Sequence, residues 1–141
     1  MISLLDTGGK ETKTYWAVYL NRENKRWWNK FLKPDFQHVQ LWSAEQYGPL
    51  PTDVLWVRVD PCLEMVDVQV LWSGAPWEIE GSHCQRVTTQ AVRGRVREWF
   101  HFGPITCVEL VKAHVGIRSL FIRTPWQLWK YVSKRPGTVS I

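Results

Sequence analysis

A chain of 141 residues with 45% hydrophobic content and no low-complexity run is one globular domain in length, able to bury a core without disulfide support. Its net charge of +5, from 18 Lys and Arg against 13 Asp and Glu, suits an anionic polymer or acidic partner; with no basic block or nucleic-acid motif, specific nucleic-acid binding is not expected. Three cysteines (Cys62, Cys84, Cys107) without CxxC spacing argue against a disulfide framework and for a reduced compartment with one functional thiol.

Residues 1–13, with Gly8-Gly9 and Lys10-Glu11, show no hydrophobic period and are expected to form a flexible lead. They are too short and polar for a secretory signal, and no stretch nears the ~20 apolar residues of a membrane span. Residues 15–20 (YWAVYL) predict a buried strand. A polar, tryptophan-bearing link follows over 21–33, with a helical turn or two around Trp27-Trp28 and Phe31-Leu32, stopped by Pro34-Asp35. Residues 36–42 alternate with period two: Phe36, His38, Gln40 and Trp42 fall on one face, Gln37, Val39 and Leu41 on the other. A turn at 47–51 leads into a strand over 54–60, closed by Pro61, and a third strand over 63–72. After a loop at 73–76, further strands are expected over 85–92 and 95–100.

Thr106, followed three residues later by Glu109 ahead of an apolar run, has the capping-box pattern. It predicts a helix to Val115, with Gly116 as the C′ residue. Thr124-Pro125, an N-cap and then Pro at the first helical position, opens a second helix that carries Leu128, Trp129 and Val132 and ends before Pro136. The tail 136–141 is expected to fray. Strands first and helices last give an α+β fold: a single domain over 14–135, with a mainly antiparallel sheet and helices on one side.

The chemistry centres on Cys107. As the first helical residue it would meet unsatisfied backbone N–H groups and the positive end of the helix dipole, both of which favour a thiolate. The plain alternative is a buried structural cysteine that packs as a small hydrophobe. A thiolate nucleophile needs a base, and the base needs an orienting group. Four histidines are available. His38 lies mid-strand, an odd place for a titratable group unless it is used; its plain alternative is a core histidine with one backbone hydrogen bond. His114 is two helical turns past Cys107, His101 reaches it only through an unusual loop, and His83 belongs to a turn-like Gly-Ser-His-Cys segment. For the third member, Asp60 ends an apolar strand where a carboxylate can receive an imidazole N–H, although turn aspartates are common there. Asp35 and Glu109 are weaker choices, the first in a turn and the second explained by capping. Cys62, His83, Cys84 and His101 match no zinc spacing, and there is neither a phosphate-binding Gly loop nor Gly-x-Ser-x-Gly. No metal or cofactor is expected. Ten tryptophans exceed the needs of a core this size, so some are expected on a surface or groove that contacts carbohydrate or protein.

The order of these pieces is strand histidine (Gln37-His38-Val39), strand-end acid (Val57-Arg58-Val59-Asp60) and cysteine opening a helix (Thr106-Cys107-Val108-Glu109). It resembles the circularly permuted NlpC/P60 branch of papain-like enzymes, with its YiiX-like and lecithin retinol acyltransferase-like members. The second histidine of the acyltransferase-like proteins has no counterpart here, and Asp60 stands in for it. Pro-Asp-Phe-x-His-Val at 34–39, Gly-Pro-x-Thr-Cys-Val-Glu-x-Val-Lys at 103–112 and Thr-Pro-Trp-Gln-Leu at 124–128 make the chain similar to short bacteriophage proteins over nearly its whole length. The resemblance implies a permuted NlpC/P60 fold and a cysteine hydrolase acting on peptidoglycan stem peptides, with Cys107, His38 and Asp60 as the catalytic residues. It further implies synthesis in a host cytoplasm and delivery by the virion or a lysis system. The alternative is a virion structural or host-interaction component that keeps the fold without catalysis.

Overall fold

Alternating apolar positions and β-branched or aromatic residues build the sheet, and two short runs with apolar residues three and four apart build the helices that cover it. The computed structural model describes residues 4–5, 11–21, 30–61, 66–90 and 107–141. Among them seven strands form one antiparallel sheet: β1 (Leu4–Leu5), β2 (Glu11–Leu20), β3 (His38–Gln46), β4 (Val54–Pro61), β5 (Val66–Leu71), β6 (His83–Gln90) and β7 (Thr138–Ser140). The order is β5-β4-β3-β2-β6-β7, with β1 paired to β2. Helices α1 (Cys107–Val115) and α2 (Pro125–Ser133) complete an α+β architecture. No helix among the described residues is long and apolar enough to cross a membrane.

Ala17, Val18 and Tyr19 are buried at consecutive positions because both faces of the central strand β2 are covered. On one face Ala17, Tyr19, Val39, Leu41 and Val87 meet Val108, Val111 and Val115 of α1 and Leu128 and Val132 of α2. On the other, Val18, Trp42 and Cys84 pack with Trp16, Leu20, Trp56, Leu71 and Ile79. Both helices therefore lie on one side of the sheet. Gly116, at φ 77°, ends α1, and the Ile117 amide returns to the Lys112 carbonyl at 2.9 Å, as a Schellman turn requires. α2 opens on a reciprocal cap: the Gln127 amide donates to Thr124 Oγ1, and Gln127 Oε1 accepts from the Thr124 amide, each at 3.2 Å.

Several boundaries differ from the sequence expectation. The lead expected to be flexible over 1–13 supplies β1 and the start of β2, because Glu11–Thr14 find backbone partners the hydrophobic period does not report. The tail expected to fray over 136–141 adds β7 to the sheet edge, through register pairs Gln85–Ser140 and Val87–Thr138. Gly137, at φ 81°, turns the chain into it, and a Cβ there would come within 3.2 Å of the Thr88 carbonyl. β3 starts at His38 rather than at residue 36. The Asp35 turn, at φ 69°, re-aims Phe36, which joins the helix-covered cluster instead of the His38 face. β5 ends at Leu71, one residue before the expected end at 72, while residues 63–65 of that expected strand lie outside the described residues; β6 begins at His83, which the sequence placed in a turn. The expected strand over 95–100, the cap Thr106 and the Trp27-Trp28 turn lie outside the described residues.

Candidate active site

Register brings the sequence candidates to one end of the sheet. Leu20, the last residue of β2, pairs with His38, the first of β3, and the neighbouring β4 ends at Asp60-Pro61. His38 Nε2 lies 2.5 Å from Asp60 Oδ1. An ionised carboxylate only accepts, so the ring nitrogen donates, and the imidazole plane is set by the acid. The second oxygen, Asp60 Oδ2, accepts from Gln40 Nε2 at 2.8 Å, and Gln40 Oε1 accepts from Trp42 Nε1 at 3.2 Å. His38, Gln40 and Trp42 are almost fully buried, at 3%, 6% and 3% exposure. In such surroundings polar contacts are strong when made and costly when lost.

Cys107 comes from the other side of the construction. The valines behind it hold α1 on the apolar face, and its own side chain packs, partly buried, against that cluster. From there it acts on the His38 imidazole as an electrostatic neighbour. Asp60 occupies Nε2, and Nδ1 has no hydrogen-bond partner among the described residues. In sites of this kind the reacting groups close on each other when a substrate is bound.

The electrostatics follow from these neighbours. Burial opposes charge on His38, but the Asp60 hydrogen bond, with Cys107 and the carboxylate charge, outweighs it and raises the imidazole from 6.5 to about 9. Burial pushes Asp60 up, yet the hydrogen bond and charge of His38, the Gln40 amide and the Arg58 guanidinium bring it below its ordinary value. Arg58 is tied by Nη2 to Gln69 Oε1 at 2.5 Å, and Gln69 Nε2 donates to Asp67 Oδ2 at 2.9 Å.

The remaining candidates are placed elsewhere. Asp35 binds Asn21, its backbone amide donating to Asn21 Oδ1 at 2.7 Å. Glu109 pairs with the buried Lys112 at 2.8 Å. His114 Nδ1 contacts the Leu110 carbonyl oxygen at 2.8 Å, and His83 stacks on Phe36 with ring centroids 4.9 Å apart. Cys84 is buried, and burial pushes its thiol up to about 11, so it packs as an apolar residue. Cys62 and His101 lie outside the described residues, and no group of three or more metal-ligating side chains gathers among those described. Trp72 and Trp77 are exposed, whereas Trp16, Trp42 and Trp56 fill the second face of the sheet.

Sequence reasoning placed Gln40 on the His38 face but gave it no role. Its signal was a polar residue two positions past a strand histidine and two before a tryptophan, at positions where period two keeps all three together. Comparison with protein-family models, with curated proteins and with solved structures finds no match.

Proposed function

We propose that this chain is a thiol hydrolase of the permuted NlpC/P60 type that cleaves an amide bond, with peptidoglycan stem peptides as the substrate class. The observation that carries the proposal is a buried His38 imidazole bound by Asp60 through Nε2, with Cys107 at the start of α1 as an electrostatic neighbour of the same ring. Strand histidine, strand-end acid and later helix cysteine are also in the order of that branch, which is what favours the permuted papain-like fold over other α+β arrangements. The net charge of +5 and the exposed Trp72 and Trp77 suit an anionic glycopeptide.

In this mechanism the Cys107 thiolate attacks the scissile carbonyl carbon, and the C=O electron pair moves to oxygen. The backbone N–H of Cys107, at the start of α1, donates to that oxyanion. As the C–N bond breaks, protonated His38 gives its proton to the departing amine, leaving a thioester and a neutral imidazole. Water then attacks the thioester carbon while His38 takes a proton from it, and collapse releases the carboxylic acid and restores the thiolate–imidazolium pair. Asp60 keeps the ring oriented through both halves and stabilises it whenever it is protonated.

Iodoacetamide labelling at pH 6 tests the nucleophile. Fast alkylation of Cys107 that is lost in His38→Ala supports the proposal. Labelling no faster than free cysteine, unchanged by that substitution, leaves the non-catalytic virion or host-interaction component instead. Incubation with purified murein and mass spectrometry of released peptides then tests the substrate class; release of no peptide by a fast-labelling protein excludes it.

A further inference from the structure

We propose that Gln40 is a positioning residue for the His38–Asp60 pair, clamped by the indole of Trp42 so that its amide fixes which Asp60 oxygen faces the imidazole. The functional meaning of this clamp rests on the hydrolase proposal, whereas its geometry does not.

The argument is one of donors and acceptors. An indole N–H can only donate, so the Gln40 atom facing Trp42 Nε1 is the amide oxygen. The Gln40 NH2 group is then turned toward Asp60, where it meets Oδ2. That leaves Oδ1 to accept from His38 Nε2. Read from Trp42 to His38, every group at these contacts has a complementary neighbour, and flipping the amide would set oxygen against carboxylate and nitrogen against indole N–H. Burial of Trp42 and Gln40 keeps water from substituting for the bond between them. Without the clamp, Asp60 loses the hydrogen bond at Oδ2, and its hold on the imidazole slackens. Among the described residues, the charged and titratable groups around the network are Asp60 and Arg58 from β4, Asp67 of β5 in register with Asp60, Cys84 of β6, which packs with Trp42, and Cys107 from α1.

The test is NMR titration of the His38 ring in the full chain, alongside the pH profile of Cys107 alkylation. Gln40→Met keeps the volume and removes the donor; Trp42→Phe keeps an aromatic ring in place and removes the indole N–H together with part of the bicycle. The His38 titration midpoint is expected to fall by about one pH unit in Gln40→Met and by less in Trp42→Phe. Both variants are expected to keep wild-type packing, judged by amide spectra away from the site. Coincident His38 titration curves for wild type and both folded variants overturn the clamp. Slow alkylation in every form, together with a shifted His38 titration, overturns the hydrolase proposal and leaves the clamp standing. Should Gln40→Met fail to fold, Trp42→Phe alone decides, because it leaves the Gln40 side chain in place and keeps an aromatic ring beside it.

Discussion

On one face of the sheet Val39 and Leu41 of β3 pack under α1 and α2, while on the other face His38, Gln40 and Trp42 of the same strand are joined into a hydrogen-bonded row. One strand thus serves two purposes through its period of two. The apolar face holds the helices by burial, which is tolerant of detail. The polar row depends on donors meeting acceptors in a single arrangement, which is not. Cys107 is the point of contact between them, since it packs against the apolar cluster and acts on the imidazole of the row. A substitution on the first face is therefore expected to change stability, and one on the second to change chemistry.

The largest expected effect lies on the apolar face. Leu128 is fully buried between α2 and the sheet, so Leu128→Ala is expected to cost about 2–5 kcal/mol in urea denaturation. The Cys107 labelling rate of the protein that remains folded should barely change. A cost below about 1 kcal/mol would break the division of labour between the faces.

Next comes the polar row. His38→Ala is expected to lower the Cys107 alkylation rate at pH 6 by about 10- to 100-fold, toward that of a free cysteine. Stability should fall far less than in Leu128→Ala if the row is a chemical rather than a structural feature.

pH sharpens the same contrast. The folded value of His38 is raised from 6.5 to about 9, so its pairing stabilises the fold fully below pH 6.5 and loses that contribution as pH rises through about 9. Asp60 has the opposite sign: its depressed value gives a contribution present above its ordinary 3.8 and lost as pH falls through the folded value. Thermal melts of wild type should therefore decline from pH 6.5 to 9.5 more steeply than those of His38→Gln, and parallel declines would remove His38 from the account. The smallest effect belongs to the α2 cap. Thr124→Ala is expected to cost about 1 kcal/mol, measured by denaturation, with the labelling profile unchanged.

Much of this plan was legible before any fold was known. Alternation over β3 put Val39 and Leu41 on one face and His38, Gln40 and Trp42 on the other, and Thr124-Pro125 marked the start of α2. Gly116 marked the end of α1 because a left-handed backbone there favours a residue without a side chain. These features are local: each is decided within a few residues by sterics, periodicity or a cap. The N- and C-terminal strands were missed because Glu11–Thr14 and Thr138–Ser140 carry no apolar period; their pairing comes from partners distant in the chain.

The site divides along the same line. Residue types and their order nominated Cys107, His38 and Asp60, since a thiol opening a helix and an imidazole on a strand are chemically unusual where they stand. Only the tertiary structure decided that β3 and β4 end together, that Asp60 spends one oxygen on His38 and the other on Gln40, and that Trp42 completes the row. Those are facts of register and of hydrogen-bond direction, and both are set between strands rather than along them.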